Sequence, residues 1–179
     1  MYPLGKQFEI DTSKAISDVK CVYKGKNYRI SILSERLVRL EYNANGTFVD
    51  NPSQFVLERN FLLPNYKVRE DSKILEITTS YFRLTYVKGA PFSGTKLDPM
   101  KNLKITLFMG NGENDRDWYY GHPEVRNLGG NMISEDVAVP NSLKKGLYSL
   151  DGFASIDDSK SLLFNPDGTL FNRPSEGID

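Results

Sequence analysis

The amino-acid sequence predicts an all-β protein, an antiparallel two-layer β-sandwich with few or no long helices. Three observations predict it. Several short segments alternate apolar and polar residues with a period of two, which turns one face of each strand toward a core. Clusters of Gly, Pro, Asn and Asp separate those segments and supply the turns. No segment carries a sustained apolar stripe of helical period, while ten Tyr and ten Phe in 179 residues suit a pleated sheet, where large flat rings pack well.

The elements follow in chain order. Val19 to Lys24 reads as a strand that enters a hairpin at Gly25-Lys26. Tyr28-Arg29-Ile30-Ser31-Ile32 alternates, and Arg36 to Tyr42 alternates again, with Val38, Leu40 and Tyr42 on one side and Arg39 and Glu41 on the other. Asn43-Ala44-Asn45-Gly46 then supplies residues that tolerate positive φ and marks a turn. Lys73 to Thr79 and Tyr81 to Val87 form the next pair, with Phe82, Leu84 and Tyr86 sharing a face, and Leu103 to Leu107 follows. Between Gly89 and Asn131 the composition shifts to Gly, Pro, Asn and Asp, which predicts long loops; Phe92, Trp118, Tyr119 and Tyr120 within them suggest loops that pack on something. Gly152 to Ile156 and Ser161 to Phe164 read as short strands, and Asn165-Pro166-Asp167-Gly168 as a type I turn.

Composition narrows the function. At this length the chain buries a sizeable core, and residues 1–179 read as one domain. Lys plus Arg and Asp plus Glu both number 23, so no global field draws a polyanion and nucleic acid is not an expected partner. Nothing approaches the ~20 consecutive apolar residues of a membrane helix. Lys6 and Glu9 stand where a signal peptide has its apolar stretch, so the chain reads as unexported, soluble and cytoplasmic. Cys21 is the single cysteine, which excludes an internal disulfide or a cysteine metal cluster and fits a reducing compartment.

Candidate chemical groups are few. His122 is the only histidine, so no multi-histidine metal site forms and the bland reading is a loop residue bonded locally. Asp115, Asp117 and Glu124 are carboxylates of the type that flanks a glycosidic bond in hydrolysis, but in a turn-rich stretch such residues usually cap turns. Asp157-Asp158-Ser159 reads as a hairpin turn, without the oxygen set of a calcium loop. Gly110-Asn111-Gly112 lacks the third glycine and the helix of a dinucleotide loop. Trp118 and Tyr120 suit stacking on the apolar face of a sugar ring, or equally burial in a core or against a neighbouring domain. No catalytic residue, metal or cofactor is expected in this chain.

One constellation is more specific. Arg126-Asn127-Leu128-Gly129-Gly130, then Gly146-Leu147-Tyr148-Ser149-Leu150-Asp151-Gly152 running on through Asp157-Asp158-Ser159, then Asp167-Gly168 and Arg173, resembles the N-terminal β-sandwich of glycoside hydrolase family 31, the α-glucosidase and α-xylosidase family. The match covers about a third of the chain. Leu150 stands where Arg is frequent in that family, and Asn131 where Thr is frequent. The resemblance implies a galactose-mutarotase-like sandwich packed on a catalytic (β/α)8 barrel that belongs to the same polypeptide beyond residue 179. It also implies that the barrel holds both catalytic aspartates, the nucleophile in a Trp-x-Asp-Met-Asn-Glu type motif absent from this sequence. By position Asp151 is then a substrate-binding residue, accepting hydrogen bonds from hydroxyls of an α-linked oligosaccharide or glycoside. The chain alone is expected to be an inactive fragment. Two other functions compete: a stand-alone carbohydrate-binding module using Trp118 and Tyr120, and a mutarotase-like epimerase, which His122 alone equips poorly.

Overall fold

The computed structural model describes residues 4–95, 102–110, 114–129 and 145–179. Alternation in the first half of the chain becomes a meander: β1 (Val22–Lys24), β2 (Tyr28–Ser34) and β3 (Leu37–Tyr42) form an antiparallel three-stranded sheet. Tyr28 pairs with Tyr42, Ile30 with Leu40 and Ile32 with Val38, so the apolar members of both strands share one face. The Asn43 to Gly46 turn closes as predicted, with the Gly46 N–H donating to the Asn43 carbonyl and Gly46 at φ +72°.

A second sheet has five antiparallel strands in sequential order: β4 (Lys67–Glu70), β5 (Ile74–Thr78), β6 (Phe82–Val87), β7 (Leu103–Leu107) and β8 (Arg116–Tyr119). Its inner face carries Leu75, Ile77, Phe82, Leu84, Tyr86, Leu103, Ile105 and Trp118, all buried and in one cluster with Tyr28, Ile30 and Ile32 of the first sheet. Tyr28 meets Tyr86 edge-on across the two layers, with ring centroids 4.8 Å apart. The molecule is therefore the all-β antiparallel sandwich that the alternation predicts. A small hairpin, β9 (Leu163–Phe164) and β10 (Leu170–Phe171), closes through Asn165 to Gly168, where the Gly168 N–H donates to the Asn165 carbonyl.

Several elements differ from expectation. Val19–Cys21 is a 3-10 turn rather than strand, because Asp18 caps it by accepting from the Lys20 N–H, and β1 starts only at Val22. β4 and β8 fall in stretches with no strand signal: all four residues of β4 are exposed, and β8 lies in the stretch read as loop. Among the described residues Gly152 to Ile156 pairs with no strand, and of Ser161 to Phe164 only the last two residues join a ladder. Among the described residues no helix is long and apolar enough to cross a membrane. Gly130 and Asn131 lie outside the described residues, as do Asn111 and Gly112 of the glycine-rich stretch.

The outer face of the three-stranded sheet is covered by the chain's end. Ile178 bridges to Tyr42 through N–H to carbonyl bonds of 3.1 and 2.8 Å, and Asp179 then reaches across the strands. This layer buries the polar faces of β2 and β3, which alternation alone assigns to solvent.

Candidate functional site

Residues 126–129 and 146–150 form a short antiparallel ribbon, joined by the Asn127 to Ser149 bridge and by bonds from Leu128 N–H to the Tyr148 carbonyl and Leu150 N–H to the Arg126 carbonyl. Its polar side chains are spent on holding it. The Asn127 amide donates to Glu124 Oε2 (2.8 Å) and the Gly146 carbonyl (2.9 Å), and its oxygen accepts from the N–H groups of Gly129 and Gly146. Glu124, its side chain fully buried, accepts in turn from the N–H and hydroxyl of Ser155. Ser155, in the segment read as a short strand, is thus tied by a side chain instead of a ladder.

Asp151 sits at the end of this ribbon and is 8% exposed. One oxygen accepts from Arg126 Nε at 2.7 Å; the other accepts from the Arg126 N–H at 3.1 Å and, at 3.4 Å, from the Ser149 hydroxyl. The Arg126 guanidinium and these hydrogen bonds hold its carboxyl below the ordinary aspartate range. A carboxylate so stabilised stays charged and is a poor proton donor, which suits binding rather than general-acid chemistry.

The aromatics belong to the core and its margin. Trp118 is 9% exposed, inside the core cluster and opposite Ile105. Tyr120 packs on the same cluster, edge-on to Trp118 (6.4 Å) and tilted against Phe92 (5.7 Å). His122 lies between Tyr119 and Phe153, with Nδ1 2.9 Å from the Pro123 carbonyl oxygen, as the bland reading has it. Asp117 bonds the Thr106 hydroxyl and Lys104 on the other face of the sheet from Trp118, and Asp115 is exposed; neither meets Glu124 as a catalytic pair. Among the described residues no group of three His, Cys, Asp or Glu side chains is placed to hold a metal ion.

The largest polar constellation escaped sequence reasoning. Under the C-terminal layer, Arg29 grips Glu41 through two bonds (2.5 and 2.8 Å) and Asp50 through a third (2.6 Å). Arg39 holds Asp179 through two bonds of 2.6 Å, and Arg173 reaches Asp179 at 2.9 Å. Arg59 donates to the Asn51 carbonyl and faces Asp158 at 3.6 Å, while Asp158 accepts from the Ser53 hydroxyl at 2.6 Å. The turn read at Asp157-Asp158-Ser159 is present, with the Ser161 N–H donating to the Asp158 carbonyl, but the buried Asp158 carboxyl points inward, toward Arg59 and toward Arg173 at 3.1 Å. Burial and the neighbouring Arg39 charge bring Arg59 down to about 10. Only the pairing of Arg39 and Glu41 on one strand face hinted at this layer, since buried charges need partners.

Fold and ribbon together define an all-β antiparallel sandwich that carries a polar-locked, apolar-faced ribbon at one margin. No family model matches the chain, and no curated protein matches it.

Proposed function

We propose that this chain is the N-terminal β-sandwich of a family 31 α-glycosidase, an α-glucosidase or α-xylosidase, and that its ribbon docks on the catalytic barrel and frames the sugar pocket. The observation that carries this reading is the outward face of the ribbon. Leu128, Tyr148 and Leu150, which the Asn127 to Ser149 register puts on one face, are between 59% and 76% exposed, while Asn127 turns its amide inward to Glu124 and Gly146. Apolar side chains gathered on a rigidly held element favour contact with another surface over contact with water. The motif resemblance supports the same reading, because these residues are the ones that carry it.

In this proposal the Arg126–Asp151 pair stands at the pocket's rim. Asp151 is charged and nearly saturated, so it presents at most one free lone pair to a sugar hydroxyl, while the half-exposed Arg126 offers donors beside it. The substrate is an α-linked oligosaccharide or glycoside, bond cleavage belongs to the barrel, and a cytoplasmic location, which the single Cys21 suits, is part of the same proposal.

The test is to express the chain together with whatever its gene encodes after residue 179 and assay an aryl α-glucoside and an aryl α-xyloside. The extended protein is expected to hydrolyse one of them, residues 1–179 alone neither. A gene that ends at residue 179, or that continues without a barrel, refutes the reading. Replacing Leu128 and Tyr148 by Asp is expected to lower kcat/KM or detach the sandwich in limited proteolysis.

A further inference from the structure

The outer face of the five-stranded sheet holds a second charged feature, separate from the ribbon and independent of the function proposed for it. Cross-strand register lines up Arg69, Glu76, Thr85 and Lys104 in one row over β4 to β7, and Arg83 lies on the same face two residues before Thr85. Together with Asp71 and Ile74 they line an open cleft of ≈ 310 Å³, at the lower end of the size of ligand sites; the Asp71 carboxyl, bonded by the Lys73 and Ile74 N–H groups, also feels the Arg69 charge. Arg69 and Glu76 are opposite charges on directly paired positions, yet they form no ion pair, and neither arginine of the cleft has an ion-pair or hydrogen-bond partner among the described residues. Lys104 leans toward Asp117 at 3.2 Å. Two guanidinium groups are left with their donor forks open on a rigid platform.

We infer that this cleft binds a uronic-acid-containing oligosaccharide, its carboxylates on Arg69 and Arg83 and its ring hydroxyls on Glu76 and Thr85. The charge pattern selects the ligand. A planar guanidinium matches a carboxylate through two parallel donors, so a neutral glucan leaves the strongest groups unused. Glu76 accepts hydrogen bonds only, and hydroxyls beside a carboxylate supply the donors it needs. Strands lie about 4.8 Å apart, so the row from Arg69 to Lys104 spans roughly 14 Å, room for successive sugar rings. An acidic peptide fits less well, since Ile74 is the one apolar side chain of the cleft and β4's free edge, not this face, is where a peptide backbone finds partners.

The experiment is titration of residues 1–179 with tetragalacturonate, maltotetraose and tetraglutamate at low salt, followed by amide chemical shifts and calorimetry. Tetragalacturonate is expected to bind with low-millimolar affinity and to shift amides of β4 to β7, with maltotetraose and tetraglutamate at least fivefold weaker. Arg83→Ala and Arg69→Ala are each expected to weaken it by about tenfold, the size of a lost charge-assisted bond, and Glu76→Gln by less. All three positions are surface ones, so unchanged thermal midpoints will show that the variants fold. No shift at saturating tetragalacturonate, equal binding of tetraglutamate, or shifts confined to residues 126–129 and 146–151 overturns the inference.

Discussion

Arg39 and Asp179 lie 140 residues apart in sequence and are joined by two bonds of 2.6 Å under the C-terminal layer. Burial by itself raises the Asp179 carboxyl, but hydrogen bonds and charge from Arg39 and Arg173 outweigh it and hold the group below its ordinary value of 3.8. A depressed acid stabilises the fold at pH values above its unfolded value, and that contribution is lost as pH falls through the folded one. Asp179→Asn is thus expected to cost about 3 kcal/mol at pH 7, because two guanidinium groups lose a buried counter-charge. Chemical denaturation of parent and variant checks this, and their difference should shrink steadily below about pH 4. Glu41, which burial pushes up despite its bonds to Arg29, works in the opposite sense, so the difference between the two proteins is the quantity to follow. A pH-independent difference shows that Asp179 acts through packing and not through charge.

At the scale of elements, the ribbon and the β9–β10 hairpin are held by different devices. One amide, Asn127, makes four bonds that tie the ribbon's two halves to Glu124. Asn127→Ala is expected to speed hydrogen exchange at the amides of Leu128 and Leu150 by at least tenfold, with β6 amides unchanged, as local opening requires. Equal acceleration in β6 shows instead that the ribbon unfolds only with the core. The hairpin depends on Gly168, at φ +81° and with the Phe8 carbonyl where a Cβ would lie. Gly168→Ala combines left-handed strain with that clash and is expected to cost about 1–3 kcal/mol and to release residues 5–10 to a protease. The second device is legible in sequence, since Asn165-Pro166-Asp167-Gly168 announces its turn by residue type, while nothing in the residues around Asn127 announces the first. The strands β2, β3, β5, β6 and β7 are equally legible, since each turns its apolar residues to the core face and alternates accordingly. β4 has no buried face to alternate, and β8 places Trp118 and Tyr119, adjacent in sequence, both out of solvent.

For the whole molecule, the contrast between core and ribbon makes a sharp expectation. Leu84 is fully buried between the sheets, and Leu84→Ala is expected to destabilise by about 3 kcal/mol through lost burial and a cavity. Leu128→Ser with Tyr148→Ser is expected to change stability by less than about 0.5 kcal/mol per site, as for other surface positions. Urea unfolding separates the two, and a loss of more than 2 kcal/mol in the double variant shows that the ribbon's apolar face packs within this chain and is not an interface. The sandwich itself follows from period-two patterning, because the pleat turns alternation into an apolar face and two such faces must meet. Alternation states only that Arg39 and Glu41 leave the core face; it carries no information on what lies over them. That Asp158, Arg173 and Asp179 return to cover them, and that Asp151 turns into Arg126, was decided by tertiary structure alone, since an ion pair depends on where distant segments end in space and not on any local period.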